Sequence, residues 1–199
     1  STRFCVDYRK LNDVTKKDSY PLPRIDDTLT TLSGSAWFST LHLKSGYWQV
    51  VIHPKDKEKT AFSGGSGLYH FTVMPFELCN APATFERLME MVLRELTWKT
   101  CLVYLDDIMV MGKTFEEHLT DLEEVFSRMK EANLQLNPKK CFLFQKEVEF
   151  LGHTVSSNGI KTTETKIKAI RDWPRPRGKH ESGVSWDCAR TTEGLSTGL

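Results

Sequence analysis

Two adjacent carboxylates, Asp106 and Asp107, stand inside the apolar run "CLVYLDDIMVM". Taking adjacent charges out of water is costly unless something compensates them. Hydrophobic strands that hold two oxygen ligands rigidly at a hairpin tip would bind a hard cation such as Mg²⁺. A plain hairpin that happens to turn on Asp-Asp accounts for the same letters. Such turns favour Asn-Gly or Asp-Gly, however, and the next glycine is Gly112. On this stretch alone both readings stand. A second oddity is His42 in "FSTLHLKSGYWQV", a lone imidazole on an alternating apolar strand that runs into a Ser45-Gly46 turn and the pair Tyr47–Trp48. By itself it is a core or surface detail, and spacing alone makes Tyr47 and Trp48 ordinary aromatic core.

The elements that must position these groups follow from periodicity. Residues 3–8 read as a short apolar strand, followed by "KKDSYPLPR", whose Pro21 and Pro23 demand extended or turn backbone. "IDDTLTTL" has apolar residues at helical spacing and ends at Gly34; "WFSTLHL" then reads as a strand. After a Pro54 break come "KTAFSG", a turn with Gly64, Gly65 and Gly67, and "LYHFTVM". "NAPATFERLMEMVLREL" is the clearest helix, with Asn80 as a cap, Pro82 in the first turn and a stripe of Phe85, Leu88, Met89, Val92, Leu93 and Leu96. "TFEEHLTDLEEVFSRMKEAN" opens with a Thr114–Glu117 capping box and places Phe115, Leu119, Leu122, Phe126 and Met129 on one face. A β-rich stretch from Leu134 to Ile160 precedes a basic segment ending "IRDWPRPR". Strands separated by two amphipathic helices make an α+β fold, an antiparallel sheet with helices on one face.

Composition narrows the class. The chain has 199 residues, 39% of them hydrophobic, with 27 Lys and Arg against 26 Asp and Glu. That suits a soluble globular chain of one domain or two small ones, and a net charge of +1 neither demands nor excludes a nucleic-acid partner. No stretch reaches the roughly 18 apolar residues of a membrane span, so no membrane partner is expected. Five cysteines without a CxxC pattern, three of them in apolar runs, read as reduced, buried, intracellular thiols. The opening without Met, apparently in mid-strand, reads as a fragment of something longer.

"YLDD" at 104–107 resembles the Y-x-D-D signature of reverse transcriptases. Its neighbours make the match specific: "FCVDYRKLND", "DSYPLPRIDD", "FSTLHLKSGYWQV", "KTAF", "MPFELCNAPATFERLM", "HLTDLEEVFSRMKEANLQLNPKKC" and "FLGHTVSSNGI" follow in the order of the polymerase of gypsy-type LTR retrotransposons. The resemblance covers about residues 3 to 177 and implies a right-handed polymerase palm with partial fingers and the start of a thumb. It divides the chain into fingers at 1–36 and 52–80, palm at 37–51 and 81–153, and thumb start at 154–177, with 178–199 left as an unfolded tail.

The resemblance also implies a chemistry. Deoxynucleotides are added to a primer 3′-hydroxyl on an RNA or DNA template by in-line phosphoryl transfer, with two Mg²⁺ or Mn²⁺ ions about 3.5–4 Å apart. In the family three carboxylates hold those ions. Asp106 and Asp107 carry over; His42 stands where the third belongs. Tyr47 matches the aromatic residue that excludes a ribose 2′-hydroxyl, Arg3 a fingers arginine on the triphosphate, and Phe76 the residue packed on the incoming nucleotide. Glu77 takes the place of a glycine that lets backbone approach the nucleotide. Leu151, Gly152 and His153 match the hairpin that grips the primer end. Neighbouring protease, ribonuclease H and integrase domains of a Pol polyprotein, and an intracellular site in a cytoplasmic particle or the nucleus, are implied with them.

The tail departs further. Where the family has a helix-forming segment, this chain reads "GKHESGVSWDCARTTEGLSTGL". Permitted codons from Glu181, read two bases later, spell "VRSFLGLCSYYRRFVNR", so an insertion or deletion between about Arg177 and Glu181 is expected in the nucleotide sequence. His42, Glu77 and the tail together lead to the expectation of an impaired polymerase, with a catalytically dead palm that binds nucleic acid weakly as the alternative. A two-metal nuclease shares the carboxylate logic, but the motif order belongs to polymerases and no second cluster of acids and histidines is evident.

Overall fold

The computed structural model describes residues 5–21, 23–163 and Lys168. Arg3, the tail at 178–199 and most of the thumb start therefore lie outside the described residues. The helices are α1 (Arg9–Val14), α2 (Ile25–Thr31), α3 (Ala81–Val92) and α4 (Phe115–Glu131). The strands are β1 (Trp37–His42), β2 (Phe62–Gly64), β3 (Gly67–Tyr69), β4 (Cys101–Tyr104), β5 (Asp107–Gly112), β6 (Phe142–Gln145), β7 (Glu147–Phe150), β8 (His153–Ser156) and β9 (Gly159–Thr162).

A four-stranded sheet in the order β4-β5-β1-β6 carries the site, and every neighbouring pair in it is antiparallel. Side chains alternate across its two faces. Leu41, Val103, Ile108 and Val110 pack with Phe85 and Met89 from α3, with Leu93 at its C-cap, and with Leu122, Val125 and Met129 from α4. The opposite face presents Phe38, Leu102, Met109 and Met111 to Leu29 of α2, to Leu32 at its C-cap, and to Val148, Phe150 and Val155. Those last three belong to a separate three-stranded sheet, β7-β8-β9. The two long helices thus share one face, and the second sheet covers the other.

Five local expectations are corrected. Residues 5–8 form no strand, and the chain coils into α1 before the polar, proline-bearing stretch that starts at Lys16. Among the described residues no strand pairs with this stretch to take its backbone N–H groups, and Tyr8 is drawn inward, its hydroxyl donating to the Thr60 carbonyl at 3.0 Å. Asn80 stands at the N-cap of α3 but makes no cap bond; its side chain ties down the preceding loop, donating to Lys16 O at 2.9 Å and accepting from Asp18 N at 3.0 Å. The Thr114 cap does form, accepting from Glu117 N at 3.2 Å, while Glu117 reaches back to Lys113 N rather than to Thr114. The buried face of α4 is His118, Leu122, Val125 and Met129, and Phe115 and Leu119 are exposed, because a histidine occupies the innermost position of the first turn. Finally, the free thiols Cys5, Cys79, Cys101 and Cys141 are not uniformly buried: only Cys101 is, and its burial pushes that thiol up to about 12. Among the described residues no helix is long and apolar enough to cross a membrane.

Candidate active site

The acidic pair sits at the end of the β4–β5 hairpin, one residue out of the expected register. Tyr104 pairs with Asp107, so the two turn residues are Leu105 and Asp106, and Asp107 begins β5. Leu105 takes a positive φ of 54°. The two carboxylates consequently part company. Asp107 lies on the second-sheet side and is directly opposite His42 in the β1–β5 register. Asp106 turns toward the helical side, where its Oδ1 is buried without a hydrogen-bond partner and packs so closely on Gly46 that a Cβ there would overlap it. Burial pushes the Asp106 carboxyl above its ordinary value; His42 opposes this and the neighbouring Asp107 reinforces it.

His42 is not idle. Its Nδ1 lies 2.7 Å from Asp107 Oδ1, and its Nε2 lies 3.3 Å from Lys140 Nζ. An ammonium can only donate, so Nε2 accepts and the Nδ1–H donates to Asp107. The imidazole therefore bridges a lysine to the carboxylate. With half of the Asp107 side chain exposed, this chain is a weak electrostatic clamp but a well-defined geometric one.

On the helical side Tyr47 packs edge-on to Phe85 at 5.4 Å between ring centroids and tilted to Phe76 at 5.6 Å; Trp48 joins Phe76 at 5.9 Å. Burial raises the Tyr47 hydroxyl pKa, with Asp106 and Glu86 adding to it. Phe76 is 45% exposed, so this aromatic shelf is open at its edge. Glu77, next along, adopts a φ of 70°, a backbone that glycine takes without strain. The glycine-shaped position persists with a glutamate in it, its carbonyl held by Asn12 Nδ2 at 2.7 Å.

The β7–β8 hairpin faces the acidic one. Phe150 pairs with His153, leaving Leu151 and Gly152 as a two-residue turn with φ of 50° and 75°. Between the hairpins lies a cavity of about 330 Å³ lined by Thr40, His42, Asp107, Lys140, Phe150 and Leu151, among others. A larger cavity, about 750 Å³, opens between α1, residues 50–60 and the start of α3, but none of the expected site residues lines it. The smaller one is where the chemistry gathers.

Residues 1–155 match the family model described as reverse transcriptase (RNA-dependent DNA polymerase). The chain belongs to the reverse transcriptase family. It is 45% identical to the Pol polyprotein of transposon 297 of Drosophila melanogaster over 87% of this chain and 16% of that protein. Against the Pol polyprotein of transposon gypsy from the same fly it is 40% identical, over 87% of this chain and 17% of the relative. The chain thus spans about one sixth of the curated relatives it matches. Among solved structures, a foamy viral protease-reverse transcriptase in complex with double-stranded DNA superposes with a TM-score of 0.86 at 28% identity, covering 95% of this chain and 33% of that one. The α+β palm architecture expected of a reverse transcriptase is therefore the observed fold.

Within that reverse transcriptase frame, Asp106, Asp107, His42, Tyr47, Phe76 and Glu77 gather at one end of the sheet, and Leu151, Gly152 and His153 lie across the cavity. The donor set does not fit a pair of hard cations. Two carboxylates diverge from one turn, one of them occupied by an imidazole, and that imidazole faces an ammonium. Among the described residues no group of three or more His, Cys, Asp and Glu side chains could hold a metal ion. Three participants were missed in the sequence: Lys140, Glu86 and His118. Glu86 had a signal, since it lies three and seven residues before the stripe positions Met89 and Leu93.

Proposed function

We propose that this chain is the RNA-directed DNA polymerase module of a retrotransposon Pol polyprotein, and that its chemistry is impaired at His42. Its substrates in this reading are a template-primer of RNA or DNA and deoxynucleotides. The primer end occupies the cavity between the two hairpins, the nucleotide base and sugar rest against Phe76 and Tyr47, and the triphosphate is the contact that the family resemblance implies for Arg3. Fingers at 1–36 and 52–80 and palm at 37–51 and 81–153 take the corresponding roles, with protease, ribonuclease H and integrase domains as neighbours in the polyprotein and an intracellular particle or the nucleus as the place of work. Support comes from the family membership together with the convergence of His42, Asp106, Asp107, Tyr47 and Phe76 at one sheet end.

The observation that carries the impairment is the 2.7 Å contact between His42 Nδ1 and Asp107 Oδ1. A carboxylate at position 42 would add an oxygen donor beside Asp107; the imidazole instead occupies Asp107 and ties it to Lys140. Mg²⁺ prefers oxygen ligands, and Mn²⁺ tolerates nitrogen better. Metal clamps contribute several kcal/mol to phosphoryl transfer, and a loss of about 4 kcal/mol is roughly a thousandfold in rate.

The test is primer extension on an RNA template by the 199-residue chain and by its His42→Asp variant, in Mg²⁺ and in Mn²⁺. The aspartate variant is expected to extend about a thousandfold faster in Mg²⁺. Equal extension by both would overturn the impairment. A second reading, a palm that holds nucleic acid and turns nothing over, is favoured by the internal Lys140–His42–Asp107 chain. Template-primer retained in a gel shift, with extension by neither protein, would select it.

A further inference from the structure

Consecutive residues of α3, Phe85 and Glu86, reach the two loops that build the helical side of the site. Phe85 touches the 46–47 turn through Tyr47 and Gly46. Glu86 is 0% exposed, and its Oε2 accepts the Leu105 N–H at 2.9 Å, at the first position of the acidic turn. Its Oε1 is buried with no hydrogen-bond partner. A buried carboxylate with an unsatisfied oxygen is an expensive choice for a helix whose neighbours Phe85 and Met89 are fully apolar. A hydrophobic residue of the same size would suit the core better, so the reason for a carboxyl group lies in what it holds.

What it holds is strained. Leucine at a φ of 54° sits in the left-handed region that L side chains disfavour, and the second turn position is Asp106 rather than the glycine such turns favour. Opening that strain would swing Asp106 away from Gly46 and take Asp107 out of line with His42.

We infer that Glu86 is the positioning residue of the acidic hairpin: by accepting the Leu105 N–H it locks the turn that aims Asp106 at Gly46 and Asp107 at His42. Burial pushes the Glu86 carboxyl above its ordinary value, with Leu105 opposing and Glu90 reinforcing, so a neutral side chain of the same shape is a fair replacement. The significance of the assignment rests on the polymerase reading, but its test needs no catalysis.

Amide hydrogen exchange at Leu105 is followed in the full chain and in its Glu86→Gln and Glu86→Met variants, alongside thermal unfolding. Glutamine keeps the acceptor, so Leu105 exchange within about threefold of the parent is expected. Methionine keeps the volume and loses the acceptor. It should speed Leu105 exchange about tenfold or more, leave the rest of β4 and β5 protected, and hold or raise the melting temperature. The assignment is overturned by unchanged exchange in the methionine variant or by glutamine behaving like methionine. It is overturned equally by a methionine chain that unfolds or loosens across the whole sheet, since Glu86 would then be holding the fold rather than the turn.

Discussion

The β4–β5 and β7–β8 hairpins meet at one cavity, and both turn in two residues with leucine at a positive φ, Leu105 at 54° and Leu151 at 50°. From there they differ. The second turn residue is Asp106 in one and Gly152, at a φ of 75°, in the other. Glycine absorbs the turn locally, and the Gly152 carbonyl accepts from the Thr163 Oγ1 at 3.2 Å and the Thr163 N–H at 3.4 Å. The acidic tip has no glycine of its own. It borrows one from elsewhere, Gly46, against which Asp106 packs, and its backbone is held by Glu86 from a helix. A hairpin that must present charge cannot spend its turn positions on conformational ease, so its order is imported from the surrounding fold.

If order is imported, the acidic hairpin should fail when its surroundings change, and the other only when its own turn does. The largest effect is expected for Gly46→Ala. A Cβ there overlaps Asp106 Oδ1 and comes within 2.8 Å of Phe85 Cζ. Overpacking of this kind costs about 1–3 kcal/mol, to be measured by chemical denaturation. Hydrogen exchange should place the damage in 101–112 and leave 147–156 protected. Equal loosening of both hairpins would break the distinction between them.

A smaller loss, about 1 kcal/mol, is expected for Gly152→Ala, where the penalty is the backbone conformation itself. Denaturation again reads it, and exchange should localise it to 147–156. A Gly152→Ala loss as large as that of Gly46→Ala would mean that the second hairpin also depends on packing at its tip.

This contrast also explains what could be read in the letters. Strand β1, helices α3 and α4 and the acidic hairpin were legible because alternation and helical spacing are local properties of a run. Tyr47, Phe76 and the pair Asp106–Asp107 were legible because order along the chain resembled a family, and the fold then brought them to one sheet end. The turn position was off by one residue because a two-residue turn on Leu105–Asp106 needs a leucine at positive φ, which no local rule favours. Asn80 looked like a cap because it precedes a helix; its real partners, Lys16 and Asp18, are 64 and 62 residues away. Glu86 and His118 were hidden for one reason: each is a polar residue on an apolar face, holding something that only tertiary structure supplies.

His118 anchors the far end of the same hairpin. It is 0% exposed, its Nε2 lies 2.7 Å from Ser39 Oγ on β1, and its backbone packs against Gly112, where β5 ends. Burial pushes its pKa below the ordinary 6.5, partly offset by the Met111 backbone carbonyl, an acceptor that favours the protonated ring. The unfolded chain therefore takes up this proton first, so the contribution of His118 is fully present above about pH 6.5 and is lost as the pH falls below it. Glu86, Asp106 and Asp121 act in the opposite sense: burial raises their carboxyls, so they favour the folded state as the pH falls toward their values. The parent's own pH curve mixes both signs. Comparing it with His118→Gln at each pH removes the shared carboxylates and leaves the imidazole. Relative to that variant, the parent should lose stability in thermal unfolding between about pH 7.5 and 5.5, by less than the Gly152→Ala loss. Exchange protection should fall in 101–112 before 147–156. A parent-minus-variant difference that stays constant over this range would show that the base of the acidic hairpin is insensitive to the His118 proton, and the imported order would then reside at the tip alone.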